Sequence, residues 1–177
     1  STGNKAIEAV QKTERDINSI NALLKAQKDQ TLEKVTSLVD TASSLQKQIE
    51  QLNQKLAHFQ ANELLSQVQE LAGRTTLITT VQNMDAKSLR NLHDGVKSKL
   101  DQAVIVLAGV EGDKVSLIAS VAPDFTATIK AGDIIKHLAT ELGGKGGGKP
   151  DLAQGGAPLN ENFASVMAGL TAWLAAK

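Results

Sequence analysis

Two lysines flanking three glycines, Lys145-Gly146-Gly147-Gly148-Lys149, are the residues of this chain best suited to meeting a ligand. They lie in ELGGKGGGKPDLAQGGAP (141–158), which holds seven of the chain's 14 glycines. Glycine loses more backbone freedom on folding than any other residue, so such a run costs stability and calls for a reason. Successive bare N–H groups can form an anion-binding nest, and lysine adds a point charge. That combination suits a phosphate backbone approached closely. The competing reading is a surface linker that uses Gly and Lys for solubility.

Catalytic chemistry is harder to find. Residues 143–149 satisfy G-x-x-x-x-G-K, but the next position of a P-loop is the Ser or Thr that holds magnesium, and here it is Pro150. Proline also removes a backbone donor where such a loop needs one. The stretch follows an expected helix, whereas a P-loop follows a strand. His58, His93 and His137 are isolated from one another, and no serine stands in a G-x-S-x-G elbow. With no cysteine there is neither a thiol nucleophile nor a thiolate zinc site. No catalytic residue, metal or cofactor is expected.

The elements that must position the glycine stretch fall into two halves. Residues 1–72 contain one glycine and no proline. Val35, Leu38, Ala42, Leu45, Ile49, Leu52, Leu56 and Phe59 alternate at spacings of three and four, a coiled-coil seam. This predicts a helix over about 31–72. Upstream, Ile7, Val10, Ile17, Ile20 and Leu24 sketch a shorter amphipathic helix, and AQKDQT could turn the chain back into a helical hairpin. The seam would then be buried within the chain or against a second copy, a possible homodimer.

Residues 73–177 alternate element types. Arg74–Val81 reads as a β-branched strand after a helix stop at Gly73. Asp85 stands as N-cap to a helix with Leu89, Leu92, Val96 and Leu100 on one face. Ala103–Val110 and Val115–Val121, joined at EGDK, make a hairpin. A helical stretch opens at Pro123 and continues through Ala131–Leu142 to Gly143. After the glycine loop comes a closing helix over Glu161–Ala176 with Phe163, Val166, Leu170, Trp173 and Leu174 inward. The expected fold is α/β (α+β): a helical coiled-coil stalk (1–72), then a small globular domain (73–177) with a mixed sheet flanked by helices.

Global composition is neutral in the argument. Lys plus Arg balance Asp plus Glu at 19 each, so any polyanion site is local. Four aromatic residues are too few for a base-stacking platform. No apolar run approaches the ~20 residues that span a bilayer. A cytoplasmic protein without membrane contact is expected.

The stretch Gly143–Gly156 resembles the G-G-[KR]-G-G-G-[KR]-P-x-x-A-Q-G-G signature of the C-terminal region of alanyl-tRNA synthetases over fourteen consecutive positions. VSLIASV, Lys130–Ile135 and the opening Ser1-Thr2-Gly3-Asn4-Lys5-Ala6 are similar to flanking blocks of that family. Lys149 stands where arginine is usual, which exchanges a planar fork for a point charge. The resemblance implies a non-catalytic piece that binds the tRNA elbow and serves the parent's aminoacylation and editing domains, with a helical part that supports dimerisation. Lys145, Gly146, Gly147, Gly148, Lys149, Asp151 and Gln154 become the tRNA-binding candidates, with Arg90 widening the basic patch. The globular part is also similar to the accessory domain of DHH phosphoesterases, though no Asp-His-His triplet is present. A structural dimerisation module and a phosphoesterase substrate-binding piece stay open as alternatives.

Overall fold

The Gln-, Lys- and Leu-rich first third forms two helices in a computed structural model that describes residues 2–177. They are α1 (Thr2–Leu24) and α2 (Thr31–Leu64). Between them, the Thr31 hydroxyl donates to Oδ1 of the buried Asn21 side chain, and Ala26 N–H donates to the main-chain oxygen of Asn21. Every seam residue is exposed, with Leu38, Leu52 and Phe59 each about three-fifths so (58%, 63% and 63%). Helix α1 therefore does not bury the seam.

The helix ends eight residues before the expected stop. After α2 the chain makes a single 3₁₀ turn and then β1 (Gln69–Leu71), paired antiparallel with β2 (Arg74–Gln82). Ala72 and Gly73 both have positive φ, 52° and 74°, as a two-residue hairpin turn with right-handed strand twist requires. Gly73 turns a hairpin rather than stopping a helix. The chain forms two compact units, 1–52 and 53–177, so the last turns of α2 belong with the sheet. Ala57 and Ala61 are buried there beside Gly95, where an added Cβ would lie 3.3 Å from Ala61 Cβ. Small residues let the two helices meet closely.

The second unit continues through α3 (Ala86–Lys97), β3 (Ala103–Glu111), β4 (Lys114–Val121), α4 (Ala131–Glu141), β5 (Lys145–Gly148), β6 (Leu152–Pro158) and α5 (Phe163–Ala175). Asp85 caps α3 as expected, its carboxylate accepting from Ser88 N–H at 2.8 Å. The expected β3–β4 hairpin also forms, turning at Gly112 (φ 60°). The six strands form one mixed sheet in the order β1-β2-β3-β4-β6-β5, with β2 and β3 parallel and the rest antiparallel.

Alternation along the strands divides the core into two layers. On one face Leu77, Ile105, Leu107 and Ile118 pack with Leu89, Leu92 and Val96 of α3. On the other, Val104, Val106, Leu117, Ala119 and Ala153 pack with Ile134, Ile135 and Leu138 of α4 and with Leu170 and Leu174 of α5. Arg74, nearly buried, donates to Leu174 O at 3.1 Å, a cation at the negative end of α5.

Candidate nucleic-acid interface

The glycine stretch is a hairpin of paired strands rather than a flexible loop. It begins where α4 stops: Gly143 (φ 72°) donates to Thr140 O, and Gly144 donates to Ala139 O at 2.7 Å. This pair of bonds is a Schellman cap. Strand β5 then runs along the sheet edge, with Lys145 opposite Gly156, Gly146 opposite Gly155, Gly147 opposite Gln154 and Gly148 opposite Ala153. At the turn, Lys149 N–H donates to Leu152 O at 2.9 Å. Pro150 O and Lys149 O accept from Ala131 and Gly132 at the start of α4, and Asp151 O accepts from Val121 N–H.

The nest of unhindered N–H groups anticipated from the sequence is therefore not built. Gly143, Gly144 and Lys149 have spent theirs, and Gly155 and Gly156 lie in a strand paired on both sides. By the alternation of an antiparallel ladder, only Gly146 and Gly148 direct theirs to the open edge. Most of the glycines answer to packing. A Cβ at Gly146 would lie 2.6 Å from Ile135 Cγ2 and 2.7 Å from Gly155 Cα. At Gly144 it would fall on Gly156 O, and at Gly132 it would lie 2.8 Å from Gly148 O. Gly147 is different, because a Cβ there would meet nothing within 4 Å.

Residues opposite one another in a ladder share a face, which settles where the candidates point. Gly146 and Gly148 share the α4 side with Gly155 and Ala153. Lys145, Gly147 and Lys149 share the other side with Gly156, Gln154 and Leu152. On that side α3 packs over β3 and β4, while Lys145, Gly147, Lys149, Gln154 and Gly156 are all exposed. The result is an open shelf with a cation at each end, an amide in the middle and bare backbone between. The lysines, one at the start of β5 and one just past its end, are four residues apart and so stand about 13 Å from each other at 3.3 Å per residue. That exceeds the ~8 Å Debye length at physiological salt, so each acts as a separate point of contact.

The other candidates are placed differently. Asp151 braces the hairpin through its main chain and is among the residues lining a small cavity of about 90 Å³, with Lys97, Asp101 and Ser120. Arg90 lies on α3, on the shelf's side of the sheet, but its Nε donates to Asp94 at 3.2 Å. Its charge is largely answered within its own helix.

The structure also assembles a group invisible in the sequence. His93 Nε2 lies 2.7 Å from Ser120 Oγ, and His93 Nδ1 lies 3.1 Å from Asp94 Oδ1. The types are those of a hydrolytic triad, yet Ser120 is 3% exposed and sits next to last in β4, paired on both sides. The cavity that Ser120 helps to line is small, about 90 Å³, and the neighbouring N–H groups of Val121 and Ala122 are spent on Asp151 O and Ala103 O, so they offer an oxyanion no donor. The group instead ties α3 to the sheet. Its signal was available, since His93 falls on the apolar face one turn after Leu89.

Burial holds the His93 imidazole below its ordinary value of 6.5, against the raising effect of Asp94. Above pH 6.5 the ring is neutral folded or unfolded and contributes no pH dependence. As pH falls through 6.5 the unfolded chain takes the proton first, so stability drops, levelling off below the folded-state value. Urea unfolding at pH 7.5, 6.0 and 5.0 should show this loss, and His93→Gln should remove that part of it. An unchanged profile in the variant would contradict the assignment.

Comparison with known proteins agrees with this architecture. The chain belongs to the DHHA1 domain family, whose model matches residues 73–176. More particularly, it is similar to alanine–tRNA ligases. It is 48% identical over 174 residues to that of Psychrobacter cryohalolentis and 43% identical over 176 to that of Pseudoalteromonas translucida. These alignments cover 98% and 99% of this chain but 20% of each relative, so the chain spans about a fifth of their length. Among solved structures, the C-Ala domain from Aquifex aeolicus alanyl-tRNA synthetase is 26% identical with a TM-score of 0.55, over 61% of this chain and 97% of that one. A DHH domain described as a member of the s1p family of ribosomal proteins shares the fold, at 17% identity and a TM-score of 0.50, over 81% of this chain and 34% of that one. The resemblance read from the Gly143–Gly156 signature is borne out. Among the described residues, no helix is long and apolar enough to cross a membrane.

Proposed function

We propose that this chain is a non-catalytic, tRNA-binding appendage of a cytoplasmic alanine–tRNA ligase, and that the β5–β6 shelf grips the outer corner of the tRNA. The observation that carries this reading is the placing of Lys145, Gly147, Lys149 and Gln154 on one uncovered face. Lysines position phosphates, and a side-chain-free strand between them lets the nucleic-acid backbone approach. The names of the relatives supply the substrate class. Holding the elbow raises the effective concentration of a weakly held acceptor end at the aminoacylation and editing domains of the parent enzyme.

The grip is modest. Residues 74–177 carry 11 basic and 10 acidic side chains, a net of +1. With roughly 3–5 phosphates neutralised, the log–log salt slope is about −3 to −4.5. Contact with the corner reads tertiary shape, which tRNAs share, so discrimination among tRNAs by this piece is poor. The test is to titrate the chain with intact tRNA and with an RNA hairpin of similar charge at two salt concentrations. Tighter binding of tRNA supports the reading, and equal binding defeats it.

The exposed seam supports a second role. Val35, Leu38, Leu45, Ile49, Leu52, Leu56 and Phe59 present an apolar stripe at coiled-coil spacing that the structure leaves uncovered. We place self-association there. Sedimentation over a wide concentration range should show a dimer that Leu45→Lys/Leu52→Lys dissociates; a monomer at the highest concentration refutes it for this chain.

A further inference from the structure

On the α4 and α5 side of the sheet, opposite the lysine shelf, lies an open groove of about 340 Å³. It is lined by His137, Glu141, Ser165, Val166, Gly169 and Trp173. The His137 imidazole stacks on the Trp173 indole, with centroids 4.5 Å apart and planes 6° from parallel. Glu141 follows His137 by one helical turn and so projects from the same side of α4. It is exposed and makes no side-chain hydrogen bond or ion pair in the structure.

Two observations say what this groove is shaped to take. The first is that the Trp173 ring already holds a cation: Lys177 Nζ stands 5.0 Å from its centroid. Indole is the best of the aromatic faces for such a contact. The second is Gly169, inside α5, where glycine costs helix stability relative to alanine. Its φ is not positive, and a Cβ there would meet nothing within 4 Å, so neither backbone conformation nor packing asks for it. What a side chain at 169 would do is fill the groove.

We propose that this groove binds the guanidinium or ammonium group of a basic peptide segment, held over Trp173 and paired with Glu141, with Lys177 as an internal competitor. The charge pattern favours this ligand over a nucleotide. Glu141 is the lining's one carboxylate, no lysine or arginine is among the lining residues, and the one ammonium close by, that of Lys177 over Trp173, is a charge a cationic guest would replace. The site is separate from the lysine shelf in place and in sign, so its failure leaves the tRNA reading untouched.

Trp173 is the chain's only tryptophan, so its emission reports directly on the groove. The probe is a blocked Gly-Arg-Gly peptide, with blocked Gly-Gln-Gly as the neutral control. A saturable change is expected with arginine and none with glutamine. Glu141→Gln should weaken binding by about 1.5- to fivefold, the range of an exposed ion pair. Lys177→Ala should strengthen it, and Gly169→Leu, which enters open space and leaves the circular dichroism spectrum intact, should abolish it. Equal responses to both peptides, or an unchanged affinity in Glu141→Gln, overturn the proposal. A stronger response to adenosine monophosphate than to the arginine peptide also overturns it and makes the groove a nucleotide site.

Discussion

Replacing Lys145 and Lys149 together by alanine is expected to flatten the salt dependence of tRNA binding by nearly two units. Each phosphate contact contributes about 0.9 to the log–log slope, and the ~13 Å between the two lysines makes them independent contacts. The same relation sets the loss of affinity, roughly 60-fold at 0.1 M salt and about 20-fold at 0.2 M, with the curves converging near 1 M. Stability should be unaffected, because both side chains are exposed and neither makes a side-chain bond. The control is Lys130→Ala/Lys136→Ala, which removes the same charge from α4 and its N-cap rather than from the hairpin. If that pair costs as much as the hairpin pair, binding follows overall charge and the shelf is not the site. If only the hairpin pair matters, the face defined by the β5–β6 register is the interface.

The sequence was informative where local chemistry decides structure. Asp85 at the start of an amphipathic run, the β-branched strands joined at Gly112 and the apolar faces of α3 and α4 are each set by residues within a few positions. It was misleading where a distant partner decides. Residues 65–71 are as helix-tolerant as the stalk before them, and what makes 69–71 a strand is the edge of β2 lying ready beside it. Nothing local records that edge.

The same reason hid the true use of the glycines. Read alone, seven glycines with two lysines make a flexible anion nest. In the fold, Ile135 of α4 and the β6 backbone come so close that side chains at 144 and 146 have no room. The shared face of the shelf candidates follows from simple spacing, because Lys145 and Lys149 are four apart and Gln154 lies opposite Gly147 midway between them once the register is known. The pairing of Arg90 with Asp94, one helical turn on, is of the kind that i,i+4 spacing records. His93 was legible in outcome, as a satisfied histidine, but Ser120 as its partner lies 27 residues on and only topology brings it near.

Glycine substitutions separate packing from binding within one strand. Gly144→Ala and Gly146→Ala each push a methyl group into backbone, Gly156 O in the first case and Gly155 Cα with Ile135 Cγ2 in the second. Backbone yields less than a flexible side chain, so each should fall at the upper end of the overpacking range, about 3 kcal/mol. For a unit of this size that lowers the melting temperature by about 10 °C. Gly147→Val is expected to leave the melting temperature unchanged or raise it slightly. Its Cβ enters open space, valine suits a strand, and the unfolded chain loses freedom. Yet that side chain would stand on the shelf between Lys145 and Lys149, holding a nucleic-acid backbone away from the strand, so tRNA affinity should fall without any loss of fold. Thermal melts and tRNA titrations on the three variants decide the matter. Stable Gly144→Ala and Gly146→Ala proteins would refute the close packing of β5 on its neighbours. A Gly147→Val protein with undiminished affinity would move the interface off this face, and the glycines would then serve packing alone.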